Sequence, residues 1–257
     1  MTKKLLLILP LLTAMLLVGC TTQDKPQINE QKKTTKVSEG ILQVNDEGDT
    51  KINEKALAEH LSQSTEIELN KEEANGIKFM LEEEKLARDV YIKLYEKWGQ
   101  QSFENISKSE ETHMNAVQGL VDKYEIDASF FDDEVGKFTD EKLFGLYNDL
   151  VTQGEISIVD ALKIGALIEE IDIIDLEGYL EETKNEDLIL VYENLLRGSR
   201  NHLRSFTKTM TRQGQNYEPQ RLKKAEYETI INSENERGNQ NDGAKQKGSG
   251  QRRNSNL

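Results

Sequence analysis

One cysteine and three prolines in 257 residues set the first limits on this chain. Cys20 has no partner, so no internal disulfide can staple the fold. Stability must come from packing or from bound metal. The scarcity of proline, with aromatics at only 6%, leans away from a β-sandwich and toward helices. Hydrophobic residues make up 36% and charged residues 31%, enough for one modest core flanked by long solvated segments. Positive charge is also short. Lys and Arg number 33 against 47 Asp and Glu, a net charge of −14. That balance argues against unassisted nucleic-acid binding, which needs a basic face to displace counterions. It suits the attraction of cations.

No apolar run is long enough to span a bilayer comfortably, which takes about 20 residues. The one at Leu5–Val18 follows Lys3 and Lys4 and fits a signal-peptide core. It leads into Leu17-Val18-Gly19-Cys20, which resembles a bacterial lipobox. Residues 1–19 are therefore expected to be removed. Cys20 would carry lipid, palmitate included, and anchor the protein to the cell membrane or an outer membrane.

Residues 20–65 are expected to form a flexible tether, with a short helix possible at 51–63. Residues 66–228 hold the helical patterns. Residues 229–257, rich in Asn, Gln, Gly and Arg, read as a disordered polar tail. Apolar spacing predicts long helices at about Asn70–Trp98, Asn105–Lys123, Ser157–Glu182 and Glu186–Gln213. Gly99 and Gly214 are stop signals. The connection from Glu125 to Ile156 should contain a short helix near Thr139–Thr152, capped by Thr139 or Asp140. A further short helix or extended segment is expected over 218–232. The expected fold is all-α: a four-helix bundle with a long crossover between its second and third helices.

Several polar residues fall on faces that should be buried. At about 100° per residue, Ile77, Tyr91 and Tyr95 lie within about 20° of Glu84, mid-helix in the apolar stripe. Glu82 and Glu83 should then point away. An ionised carboxylate at Glu84 needs a partner or a cation. Arg88, one turn on, is a candidate partner. Glu110 and His113 stand three apart on one face, with His113 aligned to Ile106, Val117 and Leu120. On the third helix Glu169 and Asp172 sit on or beside the apolar face, and Glu170 should face solvent. His202 shares the apolar face of the fourth helix with Leu195, Gly198 and Phe206. The chain has only three histidines, and two of them point inward. His60, the third, falls in the tether.

This joint pattern resembles the ferritin-like superfamily of di-iron bundles, and Glu84-Lys85-Leu86-Ala87-Arg88-Asp89-Val90-Tyr91 resembles a rubrerythrin-type first helix. Together with Gly198-Ser199-Arg200-Asn201-His202, the stretch from about Glu66 to Leu222 resembles the DUF2202 family, a domain of unknown function. The resemblance implies metal ligands at Glu84, Glu110, His113, Glu169 and His202. It also implies two iron ions, with manganese or zinc as substitutes compatible with carboxylate and imidazole donors. Arg88, Tyr91 and Ser199 would surround the ligands. The pattern departs at Ser199, where a fourth-helix Glu is expected, and Asp172 is the candidate replacement. The implied chemistry is ferrous oxidation or peroxide reduction, with electrons from elsewhere because no rubredoxin-like Cys pairs exist. The alternatives are a metal-binding envelope lipoprotein without turnover and a metal-free interaction module. A homodimer is compatible with either.

Overall fold

The structure, a computed structural model, describes residues 40–45, 48–66 and 68–237. The expected signal peptide, Cys20, the tether up to residue 39 and the tail from 238 onward lie outside the described residues. Helices dominate: the described residues form seven, with one two-stranded sheet.

The chain enters as a hairpin. Strands β1 (Leu42–Val44) and β2 (Thr50–Ile52) pair antiparallel, with Leu42 opposite Ile52 and Val44 opposite Thr50. Helix α1 (Glu54–Gln63) follows, capped by the Asn53 side chain on the Ala56 amide. The hairpin and α1 therefore lie inside the stretch 20–65 that was expected to be tether, with α1 over much of the possible short helix at 51–63. Ile41, Leu42, Ile52, Leu57 and Leu61 are all buried, and α1 packs on the third helix. Each such side chain contributes about 1.5–3 kcal/mol by leaving water, enough to fix a segment whose polar composition suggested otherwise.

Four long helices follow the predicted spacing. Helix α2 (Lys71–Trp98) opens with a reciprocal capping box between Asn70 and Glu73 and stops at Gly99, whose φ of 62° is left-handed. Helix α3 (Gln101–Lys123) starts four residues before the expected Asn105, because Ser102 and Phe103 join the buried face. Helix α4 (Glu141–Gly154) is capped by Asp140, α5 (Ile158–Glu182) by Ser157 and α6 (Glu186–Arg212) by Asn185. Helix α7 (Lys224–Ile231) closes the described chain. Helix α2 packs on α3 and α5 on α6; further contacts join α3 to α6 and α2 to α5. Tyr91, Phe103 and Phe206, one from each of three helices, pack as tilted rings with centroids 5.2–6.1 Å apart.

Two buried polar anchors hold the irregular segments. Lys85 pairs with Asp89 in full burial and donates to the carbonyls of Glu134 and Lys137, while Asp89 also accepts from the Gly136 amide. This pins the connection before α4 onto α2. Glu170 accepts from the amides of Gln220, Arg221 and Leu222 and from the Tyr217 hydroxyl. Three expectations change here. Spacing puts Glu170 on the polar face, yet the segment before α7 wraps over it and buries it. Glu82 and Glu83 are likewise buried, Glu82 accepting from the Thr139 amide. The tail expected from residue 229 begins inside α7, and Glu236 receives Arg200 and Arg204.

Close helix approach at one glycine is testable against a second glycine in the same helix. A Cβ on Gly165 would lie 2.7 Å from the Phe206 ring, whereas one on Gly178 would meet nothing within 4 Å. Gly165→Ala should lose about 1–3 kcal/mol to overpacking, more than the helix-propensity gain of up to about 1 kcal/mol that Gly178→Ala should show. Thermal unfolding of the two variants should move Tm in opposite directions; a Gly165→Ala protein at least as stable as wild type contradicts the packing described.

Candidate metal centre

The four long helices each bring at least one titratable side chain to a common interior point. Helix α2 supplies Glu84, α3 supplies Glu110 and His113, α5 supplies Glu169 and α6 supplies His202. All five are at most 1% exposed. They form two overlapping groups: Glu84, Glu110 and His113, and then Glu110, Glu169 and His202, the ligand atoms within each group lying within 4.8 Å of one another.

Glu110 is the shared member. Its Oε2 lies 2.7 Å from His113 Nδ1 and its Oε1 lies 2.9 Å from His202 Nδ1. Glu84 Oε2 is 3.2 Å from His113 Nδ1, and Glu169 Oε2 is 3.5 Å from His202 Nδ1. The imidazoles stack at 5.4 Å between centroids, 20° from parallel. Each half thus has one imidazole, one carboxylate of its own and one oxygen of Glu110.

Neither Glu110 contact is aligned as a hydrogen bond. Both Glu110 oxygens, Glu84 Oε1, Glu169 Oε2 and His202 Nδ1 are buried without a hydrogen-bond partner. Buried polar atoms rarely stay unpaired, and each carries a cost of roughly 1–3 kcal/mol or more. The spacing suits a metal ion. Donors about 2.1 Å from one ion and at right angles to each other are about 3 Å apart, close to the separations seen. Each group could therefore hold a metal ion, and Glu110 belongs to both groups.

Electrostatics agree with the geometry. Burial pushes Glu84 up to about 7, against the pull of His113. Burial likewise raises Glu169 to about 7, opposed by His202. Burial would also raise Glu110, but His202 and His113 outweigh it and hold that carboxyl well below its ordinary range. Burial disfavours charge on His113, yet Glu110 and Glu84 push it up to about 9; burial likewise opposes charge on His202, yet Glu110 and Glu169 hold it well above its ordinary value. One carboxylate thus keeps its charge, two are poised near neutrality, and both imidazoles hold protons that a cation would displace.

The surrounding expectations divide. Tyr91 donates to Glu169 Oε1 at 2.6 Å, and its hydroxyl also reaches the Gly165 carbonyl. Arg88, placed by spacing beside Glu84, instead binds Asp89 and Asp133 on the pinned connection. Ser199 is buried, but its hydroxyl bonds the Leu195 carbonyl of its own helix. Asp172 belongs to neither group. It is buried nearby, with Oδ2 unpartnered, and burial followed by Glu83 and Glu84 raises its pKa well above the usual range. Burial and Asp175 do the same to Glu83. His60 lies on α1, half-buried and outside both groups.

Two contributors went unpredicted. Thr50 Oγ1 lies 3.1 Å from His113 Nε2 and 2.9 Å from His202 Nε2. Gly198 gives the His113 ring its space, since a Cβ there would fall 2.5 Å from Cε1. Gly198 carried a weak signal by sharing the face of His202; Thr50, in a polar three-residue strand, carried none.

Comparison with known proteins agrees with this architecture. The chain is 50% identical over 182 residues to the uncharacterized protein MJ0754 of Methanocaldococcus jannaschii, covering 71% of this chain and 98% of the relative. The crystal structure of the hypothetical protein MJ0754 from Methanococcus jannaschii matches with a TM-score of 0.66 and 49% identity, over 68% of this chain and 99% of that one. Residues 73–234 match the family described as an uncharacterized protein domain, DUF2202, and thus contain all five members of the two groups. The chain belongs to the DUF2202 family.

Proposed function

We propose that this chain is a ferritin-like four-helix-bundle protein that holds two first-row metal ions, iron in the first instance, and oxidises ferrous iron or reduces peroxide. Glu110 carries the proposal: one buried carboxylate whose two oxygens face two imidazole nitrogens with no aligned donor at either. The α2–α3 and α5–α6 pairings, with a long connection carrying α4 between them, support the crossover arrangement. Carboxylate and imidazole donors suit iron, manganese or zinc.

Glu84 and His113 would hold one ion, Glu169 and His202 the other, and Glu110 both. Bound iron would supply redox change between its ferrous and ferric states. Tyr91 orients Glu169 through the hydrogen bond to Oε1, and the apolar helix faces exclude water. Asp172 is buried beside the site, where burial and the neighbouring carboxylates hold it toward its neutral form, and it lies outside both groups. A second function, retention of metal without turnover, is favoured by the near-complete burial of all five side chains. The sequence of Cys20 and its leader supports lipid anchoring to a cell or outer membrane. Homodimerisation would leave the site unchanged, because one chain supplies every group.

Metal analysis tests the shared carboxylate. Wild-type protein reconstituted with iron should hold about two ions per chain. Glu84→Ala should lower that to about one, whereas Glu110→Ala should lose most of both. Unchanged metal content in either variant removes the assignment. Ferrous protein mixed with oxygen or peroxide should consume it faster than free iron does; full occupancy without consumption selects the retention function.

The pH dependence has a definite sign. In metal-free protein His113, Glu84 and Glu169 all have folded pKa values above their ordinary ones. The folded state then binds more protons than the unfolded state, so stability falls as pH rises. The carboxyl contribution is lost from about 4.5 toward 7, and the His113 contribution from about 6.5 toward 9. Glu110, lowered, contributes the opposite slope only near and below its ordinary value; between pH 6 and pH 9 it is ionised in both states and adds none. Melting curves should show metal-free Tm falling between pH 6 and pH 9, and metal-loaded Tm falling less. Anchoring is tested separately: Cys20→Ala expressed with its leader should leave the membrane fraction, and continued membrane retention counts against lipidation.

A further inference from the structure

Both imidazoles turn Nδ1 toward the carboxylates and Nε2 toward a single hydroxyl. Thr50 Oγ1 is 2.9 Å from His202 Nε2 and 3.1 Å from His113 Nε2, and Thr50 is only 4% exposed. A neutral imidazole has one N–H, and the nitrogen that binds a cation must be the other. With Nδ1 facing the carboxylates, the proton belongs on Nε2 in both rings. A hydroxyl oxygen has two lone pairs, so Thr50 can accept from both rings at once.

The surroundings fix that oxygen in place. The Thr50 amide donates to Ser109 Oγ at 3.1 Å, and the Ile52 amide donates to Thr112 Oγ1 at 3.0 Å. Ser109 precedes Glu110 and Thr112 precedes His113. The stretch of α3 that delivers two site residues therefore also sets the register of β2. Asn105 adds a bond to Asp49 Oδ2 at 3.0 Å. On the far side, Gly198 leaves room: a Cβ there would stand 2.5 Å from His113 Cε1 and 3.4 Å from Thr50 Oγ1. Strand β2 also lies outside residues 73–234, the part that matches the family.

We propose that Thr50 is a positioning residue of the metal centre, its hydroxyl accepting from Nε2–H of both His113 and His202 and so presenting both Nδ1 atoms to the ions. The N-terminal hairpin is then part of the site. This rests on the two-ion assignment above for its consequence, though not for its geometry.

The test uses the whole chain, zinc as the probe, and Thr50→Val beside Thr50→Ser. Removing a hydrogen-bond partner behind a ligand imidazole should weaken zinc binding by about tenfold to a hundredfold, with Thr50→Ser recovering most of that loss. Nitrogen-15 NMR of the zinc-loaded rings should show the proton on Nε2 of both histidines in wild type and in Thr50→Ser. In Thr50→Val the Nε2–H signals should shift or exchange faster on both rings together. Thr50→Val binding within about twofold of wild type, with unchanged ring signals, overturns the proposal. So does a wild-type proton on Nδ1 of either neutral ring. If Thr50→Val fails to fold, the wild-type tautomers and Thr50→Ser still decide it. If wild type binds no zinc, iron or manganese, the two-ion assignment has failed; the tautomers of the metal-free neutral rings then decide the role of Thr50 alone.

Discussion

Acidic oxygens buried among long helices, with no donor aligned to them, are the constraint on which the rest of this structure depends. Burying one isolated carboxylate is costly enough that it normally neutralises or finds a partner. Here three carboxyl groups and two imidazoles converge at no more than 1% exposure, and Glu110 faces both rings. Protons can balance part of that charge, as the raised values at Glu84, Glu169 and His113 show. They cannot supply donors to both Glu110 oxygens in the geometry present. A cation between the donors would satisfy several lone pairs at once.

Holding five such groups in register requires rigid neighbours. The Tyr91–Phe103–Phe206 cluster ties α2, α3 and α6 together beside the site, and the Tyr91 hydroxyl reaches across to α5. Glycine controls the approach at two points: Gly165 admits the Phe206 ring and Gly198 admits His113. The buried Lys85–Asp89 pair does its work one turn away, fastening the connection before α4. Breaking one partner of such a pair commonly costs about 3–5 kcal/mol, so that connection is a fixed wall rather than a loose flap.

The long helices were readable because apolar spacing, caps and stop glycines agreed at each of them. The same periodicity put Glu84, Glu110, His113, Glu169 and His202 on inward faces, since a polar residue in an apolar stripe stands out. Periodicity failed where a helix is covered on more than one side. Glu170 looked exposed because nothing local shows that residues 217–222 return to cap it with amides. Arg88 looked like the partner of Glu84 because spacing knows nothing of Asp133, 45 positions away. Thr50 was out of reach for the same reason: its partners lie 63 and 152 positions along the chain. Three-residue strands have too little pattern to show their burial.

The hairpin changes what the site is connected to. Its backbone hangs from Ser109 and Thr112, the residues immediately before Glu110 and His113. Any shift of those two side chains on gaining an ion would be felt by β2 through bonds of about 3 Å to the same helix. The reverse also holds: a ligand that binds the folded chain and not the unfolded one stabilises every element its site requires. A chain with a single cysteine has no disulfide with which to fix its N-terminal segment. Here that segment is fixed by burial of Ile41, Leu42 and Ile52, and by one threonine hydroxyl shared between two histidines. On the proposed two-ion assignment, occupancy of the centre and docking of the hairpin would be linked equilibria, each strengthening the other.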